Sequence, residues 1–96
     1  MERVRGMIGM FNGCKNIEFI DLSSFDTSNV TDMSYLFAGC NKLKEIKGID
    51  KFKTSKVTNM STMFGECNEI ESINLSSFDT SNVTDMSYLF NKCHKN

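Results

Sequence analysis

The sequence contains no proline, no tryptophan and a single histidine among its 96 residues. That histidine, His94, lies near the C-terminus, where chains commonly fray. No nucleophile elbow, zinc-protease motif or phosphate-binding loop occurs anywhere in the chain. Because catalysis needs reactive groups that converge in one place, we expect a protein that is not an enzyme and that has no cofactor and no metal site.

Long apolar runs and an excess of positive charge are missing as well. No stretch approaches the roughly 18 apolar residues of a membrane helix, so we expect no membrane span. The formal net charge is −1, whereas nucleic-acid binding depends on a clustered basic surface. We therefore expect no nucleic-acid partner, and the composition, 40% apolar and 24% charged, favours a folded globular chain.

The N-terminal residues do not resemble a leader. A secretory signal needs an apolar stretch of about 7–15 residues after its basic start. MERVRGMIGMFNG has the charges without that stretch. The chain as given is expected to stay in the cytoplasm unless it is a fragment of a longer protein.

Internal repetition is the strongest signal in the sequence. Residues 20–37 read IDLSSFDTSNVTDMSYLF, and residues 73–90 repeat them with one difference, Asp21 against Asn74. A looser copy lies between them. The cysteines recur at steps of 26, 27 and 26 residues, at Cys14, Cys40, Cys67 and Cys93. This period predicts one domain, 1–96, divided into a half-coil 1–16 and coils 17–42, 43–69 and 70–96.

Each repeat combines two periodicities. Val30, Met33, Phe37 and Cys40 follow the i, i+3, i+7, i+10 spacing of an apolar helix face, whereas Ile17-x-x-Ile20-x-Leu22 has the spacing of a short strand in a leucine-rich repeat. The predicted fold class is α/β: a leucine-rich-repeat solenoid of about 3.5 coils of 26–27 residues, with a parallel β-sheet on one face and helices on the other. It would begin with a helical half-coil at Val4–Gly13, carry a small bulge at Gly48 and end with a helix at Val83–Cys93.

Charges at matching positions alternate in sign between repeats. The sets are Glu18, Lys44 and Glu71; Asp26, Lys53 and Asp79; and Asp21, Lys47 and Asn74. Stacked repeats would bring such charges together, so the six lysines between residues 42 and 56 are interpreted as part of a ladder that fixes register. A basic patch for nucleic acid is the less favoured interpretation.

Cysteines and phenylalanines form two further ladders. Four cysteines spread over successive coils cannot surround one zinc ion. A buried thiol ladder is favoured over a disulfide between neighbouring coils, although the latter is geometrically possible. The Phe25, Phe52 and Phe78 rings are interpreted as a stacked structural spine in the core.

Candidate binding residues are those predicted to point outward on the strand face. They are Phe19, Asp21, Glu45, Lys47, Ser72 and Asn74. Phe19 is notable because its counterparts are Glu45 and Ser72, and an exposed aromatic side chain can anchor a partner. Neither end of the chain has an obvious polar cap, so either a fragment or end-to-end self-association is expected.

The run S-S-F-D-T-S-N-V-T-D-M-S-Y-L-F-x-x-C resembles the repeat of BspA-like leucine-rich-repeat surface proteins, in the variant of mycoplasma-type surface lipoproteins. The resemblance extends from about Val4 to Cys93 and departs at Lys53, Lys56 and Asn59. It implies display on the cell surface or outside the cell, adhesion, and binding of a protein partner such as a host extracellular protein. The rival interpretations are a structural spacer and an intracellular protein-interaction module.

Overall fold

The protein is described by a computed structural model that covers residues 2–3 and 6–93. Four short strands occur in this part of the chain: β1 (Glu2–Arg3), β2 (Phe19–Asp21), β3 (Phe25–Asp26) and β4 (Glu45–Lys47). They form two parallel pairs, β1 with β3 and β2 with β4. One turn of 3₁₀-helix follows β4 at Ile49–Lys51.

The predicted leucine-rich-repeat solenoid with a helical face is wrong. Across residues 2–3 and 6–93 there is no α-helix, and each sheet has only two strands. The expected helices over 30–40 and 83–93, and the described part of Val4–Gly13, consist of turns. Val4 and His94 themselves lie outside the described residues.

Four turn segments replace the expected helices: segment 1 (residues 7–14), segment 2 (33–40), segment 3 (60–67) and segment 4 (86–93). Each contains three overlapping turns closed by bonds from an N–H to the carbonyl three residues earlier. In segment 2, Leu36, Ala38 and Cys40 donate to Met33, Tyr35 and Phe37. An α-helix would send every N–H four residues back, so this pattern excludes one.

The intervening amides leave their own segment and bind the next one. Tyr35, Phe37 and Gly39 donate to the carbonyls of Ser61, Met63 and Gly65 at 2.8–3.0 Å. The carbonyls before these amides accept from segment 1 in the same way, and segments 3 and 4 continue the pattern. The peptide groups therefore form three hydrogen-bonded columns, which begin at peptides 8–9, 10–11 and 12–13 and end at peptides 87–88, 89–90 and 91–92.

Left-handed residues recur at two matching positions of every turn segment. The first position holds Gly9, Tyr35, Thr62 and Tyr88, with φ of 55–59°. The second holds Gly13, Gly39, Glu66 and Lys92, with φ of 59–80°. Both are third positions of a turn, where a type II turn requires positive φ. Each of these residues ends any helical path, because its backbone has the opposite hand.

Asp-x-Ser and Asn-x-Ser triplets set the entry to the turns. The Asp32 carboxylate accepts a hydrogen bond from the Ser34 N–H at 2.9 Å, and the Asn59 amide oxygen accepts one from Ser61 at 2.9 Å. The side chain thus closes an Asx turn over two residues. Asp32 therefore closes a turn at a position where the sequence spacing predicts the start of a helix.

The core lies between the turn segments and the strands. Phe11, Phe37, Phe64 and Phe90 stack with ring centroids 5.4–5.7 Å apart. Val30, Met33 and Leu43 are among the side chains buried around this stack. Ring stacking stabilises the fold beyond the effect of burying apolar area, because offset parallel rings avoid overlap of their negative faces.

Gly48 marks the end of β4, where a small bulge was predicted. Its φ is 91°, and it precedes the 3₁₀ turn as its N-cap residue. A Cβ at this position would lie 2.7 Å from the backbone nitrogen of Ser23. Only glycine therefore allows the chain to turn away from the sheet while remaining packed against the preceding repeat.

Candidate functional site

The outward face of β2 and β4 carries four of the residues proposed from the sequence. Phe19 is in register with Glu45, and Asp21 is in register with Lys47. Between them, Ile20 and Ile46 point to the core and are buried. Because alternate residues of a strand point to opposite faces, this register places all four polar or aromatic side chains on one exposed surface.

Phe19 is the most exposed aromatic residue on this surface. Its exposed fraction is 65%, whereas the stacked Phe37 is fully buried. An aromatic side chain left in water has apolar area available for a partner. It lies beside charged neighbours, as anchor residues do in interfaces with a polar rim.

Charges next to Phe19 are fixed by local contacts. Lys44 Nζ lies 3.2 Å from Glu18 Oε1, which realises one pair of the predicted charge ladder. Asp21 accepts hydrogen bonds from the hydroxyl and N–H of Ser23. These bonds, with a smaller contribution from Lys47, lower the pKa of the Asp21 carboxyl, so it is ionised at neutral pH. The surface therefore presents fixed charges of both signs.

A groove separates β4 from the next repeat. Its volume is about 580 Å³, and its two sides are residues 44–50 and 69–74. Segment 69–74 contains no strand, so β4 pairs with β2 alone in the part of the chain that the structure describes. Four of the six predicted surface residues line this groove: Glu45, Lys47, Ser72 and Asn74.

The groove combines an apolar lining with a charged rim. Its apolar side chains are Ile46, Ile49, Ile70 and Ile73, and its acidic ones are Glu45, Asp50, Glu69 and Glu71. Asn74 does not point its oxygen into open space, because that atom accepts from the Ser76 N–H at 2.9 Å. No signal in the sequence indicated this groove, since the nearly constant repeat spacing predicts that a third strand would pair with β4 as β2 does.

The phenylalanines of the predicted spine differ in their surroundings. Phe52 is buried, whereas Phe25 and Phe78 are half-buried against the core. Phe52 and Phe78 stack with centroids 6.3 Å apart and nearly parallel planes. These rings are on the inner side of the fold and do not contribute to the outward surface.

The four cysteines are free thiols. Cys40, Cys67 and Cys93 each direct Sγ to the carbonyl of a phenylalanine one repeat earlier, at 2.8–3.2 Å. Burial, with a smaller contribution from the neighbouring cysteines, raises the pKa of Cys40 to about 11 and that of Cys67 to about 12. These two thiols therefore stay protonated and poorly nucleophilic at neutral pH.

The described residues contain neither a cluster of metal ligands nor a membrane-spanning helix. No group of three or more His, Cys, Asp or Glu side chains among residues 2–3 and 6–93 is arranged to hold a metal ion. Over the same residues, no helix has the length and apolar character needed to cross a bilayer.

The described residues define a tandem-repeat protein built from turns and short strands. Its repeats are joined by hydrogen bonds and stacked rings, and its groove has both apolar and charged lining residues. Comparison with protein families then places it: the chain belongs to the family described as Mycoplasma protein of unknown function, DUF285, whose model matches residues 5–96. The match is to this Mycoplasma family and does not reach the BspA-like leucine-rich-repeat group specifically. A search of curated proteins and a search of solved structures each found no match.

Proposed function

We propose that this protein is a non-catalytic protein-binding repeat domain that uses the outward face of β2 and β4 together with the adjoining groove. The observation that carries the proposal is that Phe19, a largely exposed aromatic side chain, shares the outward face with Glu45 and Lys47, which line the adjoining groove. Such a combination suits an anchored, directional contact with another protein.

An extended segment of the partner is the occupant that this groove favours. β4 has a partner strand on one edge and the groove on the other. An exposed strand edge can add a strand from another chain through main-chain hydrogen bonds. Acidic side chains outnumber the two lysines on the rim, Lys44 and Lys47, so a segment with basic residues is favoured.

The finer form of the proposal is an adhesin-like surface protein that binds a host extracellular protein. Membership of a Mycoplasma family supports it, as does the resemblance of the repeat to BspA-like surface proteins. The mixed apolar and charged character of the groove is compatible with protein recognition.

Binding of purified host extracellular proteins and of intact host cells to the immobilised protein tests this function. Phe19→Ala should weaken binding at least about tenfold, as expected when an aromatic anchor is truncated. Tyr35→Ala is the matched control, because Tyr35 is also an exposed aromatic residue, at 47%, but belongs to turn segment 2 rather than to the strand face. Absence of binding by the wild type, or equal binding by Phe19→Ala, would reject the proposal.

A structural spacer is the second candidate. The near-identity of residues 20–37 and 73–90 favours it, because a spacer needs repeated geometry rather than a distinctive surface. A spacer predicts that Phe19→Ala and Lys47→Glu change no interaction while the folded length of the protein stays the same.

A further inference from the structure

The last repeat exposes side chains that its counterparts bury. Met86 is 42% exposed, whereas the equivalent Met33 and Met60 are 0% and 1% exposed. Phe90 is 38% exposed at the end of the ring stack, whereas Phe64 is 1% exposed. We refer to this surface of segment 4 as the C-terminal face. Its apolar residues resemble an interior interface that lacks its second half.

Main-chain donors on the C-terminal face are also without acceptors. In segment 3, the amides of Thr62, Phe64 and Glu66 donate to segment 4. The equivalent amides of segment 4 belong to Tyr88, Phe90 and Lys92, and none has an acceptor among the described residues. Three parallel N–H groups therefore end the hydrogen-bonded columns.

The opposite end of the columns presents acceptors. The carbonyls of residues 34, 36 and 38 accept from segment 1, and their equivalents in segment 1 belong to Ile8, Met10 and Asn12. No donor reaches these three carbonyls in the described part of the chain. Ile8 and Met10 are exposed there. We refer to this surface as the N-terminal face.

The two faces match each other in hydrogen bonding and in shape. The N–H donors at alternate residues of the C-terminal face match the carbonyl acceptors at alternate residues of the N-terminal face. The same alternation joins segments 2 and 3 within the molecule. Phe90 of one molecule and Phe11 of another would continue the ring stack at its internal spacing of 5.4–5.7 Å. Unpaired main-chain groups on an apolar edge are a template for pairing with another chain.

We propose that the C-terminal face binds the N-terminal face of a second copy of this chain, so that turn segments continue head to tail from one molecule to the next. Two C-terminal faces would oppose donor to donor, so a symmetric contact of that kind lacks the hydrogen bonds. A head-to-tail contact leaves one free face at each end of the assembly, and it therefore grows beyond a dimer.

Sedimentation velocity and light scattering from about 1 µM to about 1 mM, the range of weak to moderate affinities, test the proposal. The average mass of the wild type should rise with concentration beyond that of a dimer. Met10→Lys blocks the N-terminal face, and Phe90→Lys blocks the C-terminal face. Each variant alone should be monomeric, and an equimolar mixture should form a one-to-one dimer, because each variant supplies the face that the other has lost.

Controls separate this assembly from folding and from the proposed strand-face function. Met86→Lys blocks the C-terminal face without touching the ring stack and should mix with Met10→Lys in the same way. Phe19→Lys should associate like the wild type, since Phe19 lies on the strand face. Monomeric wild type at all concentrations, or a mixture that stays monomeric while both variants keep the wild-type circular dichroism, would overturn the proposal.

Discussion

Single residues carry backbone conformations that the repeat demands but that their side chains disfavour. Glu66 and Lys92 occupy the left-handed position held by Gly13 and Gly39 in the first two segments. A residue with a Cβ pays roughly 1–2 kcal/mol there, while glycine does not. These positions explain why the helix prediction failed, since a left-handed residue is not visible from apolar spacing.

Glu66→Gly should stabilise the protein by up to about 1 kcal/mol, because it removes the left-handed strain at an exposed position. The gain is smaller than the strain, since glycine also increases the entropy of the unfolded chain. Chemical denaturation monitored by circular dichroism measures the effect.

Lys42→Gly is the control for this substitution. Lys42 is exposed and has no positive φ, so it should lose about 0.5–1 kcal/mol from chain entropy alone. A Glu66→Gly variant that is destabilised as much as Lys42→Gly would contradict the strain argument.

The buried thiols link stability to alkaline pH. The pKa of Cys40 is raised from its ordinary value of 9.0 to about 11 in the folded protein. Below pH 9 both states keep the proton, so this thiol gives no pH dependence. Between pH 9 and about 11 the unfolded chain loses the proton first, so the free energy of unfolding should fall as pH rises.

Urea denaturation at successive pH values measures this dependence, and Cys67 should extend it towards pH 12. A Cys40→Ala/Cys67→Ala double variant provides the comparison, because it keeps every other ionisable group of the protein in place. Equal slopes in the wild type and the double variant would show that these thiols do not contribute.

At the scale of elements, the same apolar spacing is compatible with two structures, an α-helix and a series of turns. The i, i+3, i+7, i+10 spacing of Val30, Met33, Phe37 and Cys40 predicted a helix, but the last three of these residues lie in overlapping turns. The burial of all four was predictable, although the element was not, and Ala38 is buried outside the predicted spacing. Asp-x-Ser triplets were the available signal, since such residues favour turns over helix interiors.

Asp32→Ala should destabilise segment 2 by about 1 kcal/mol, because the Ser34 N–H loses its side-chain acceptor. Asp32→Asn should have little effect, since Asn59 makes the same 2.9 Å bond in the next repeat. Thermal unfolding of both variants measures the difference. Equal melting temperatures for the alanine and asparagine variants would exclude a role for the Asx turn.

At the scale of the whole molecule, the repeat period predicted which residues meet. Strands β2 and β4 pair with an offset of 26 residues, equal to the period from Cys14 to Cys40. The groove beyond β4 was not predictable, because residues 70–74 have the same apolar pattern as residues 17–21, which contain β2, and yet form no strand.

The loss of stability caused by removing a phenylalanine ring should depend on the position of that ring in the stack. Phe37 is fully buried between two other rings, so Phe37→Ala should cost about 3–5 kcal/mol. Phe90→Ala should cost clearly less, because Phe90 stacks against one ring among the described residues and is partly exposed. Denaturation of the two variants at a protein concentration that keeps the wild type monomeric gives the comparison, and equal losses would contradict a stack with an open end.

The three columns of peptide groups have an electrostatic consequence. Their carbonyls all point toward segment 1 and their amides toward segment 4. Aligned peptide dipoles add up, as they do along an α-helix. The columns therefore give this protein a macrodipole along the direction in which the segments stack, with the positive pole at its C-terminal end, the reverse of the polarity of a helix.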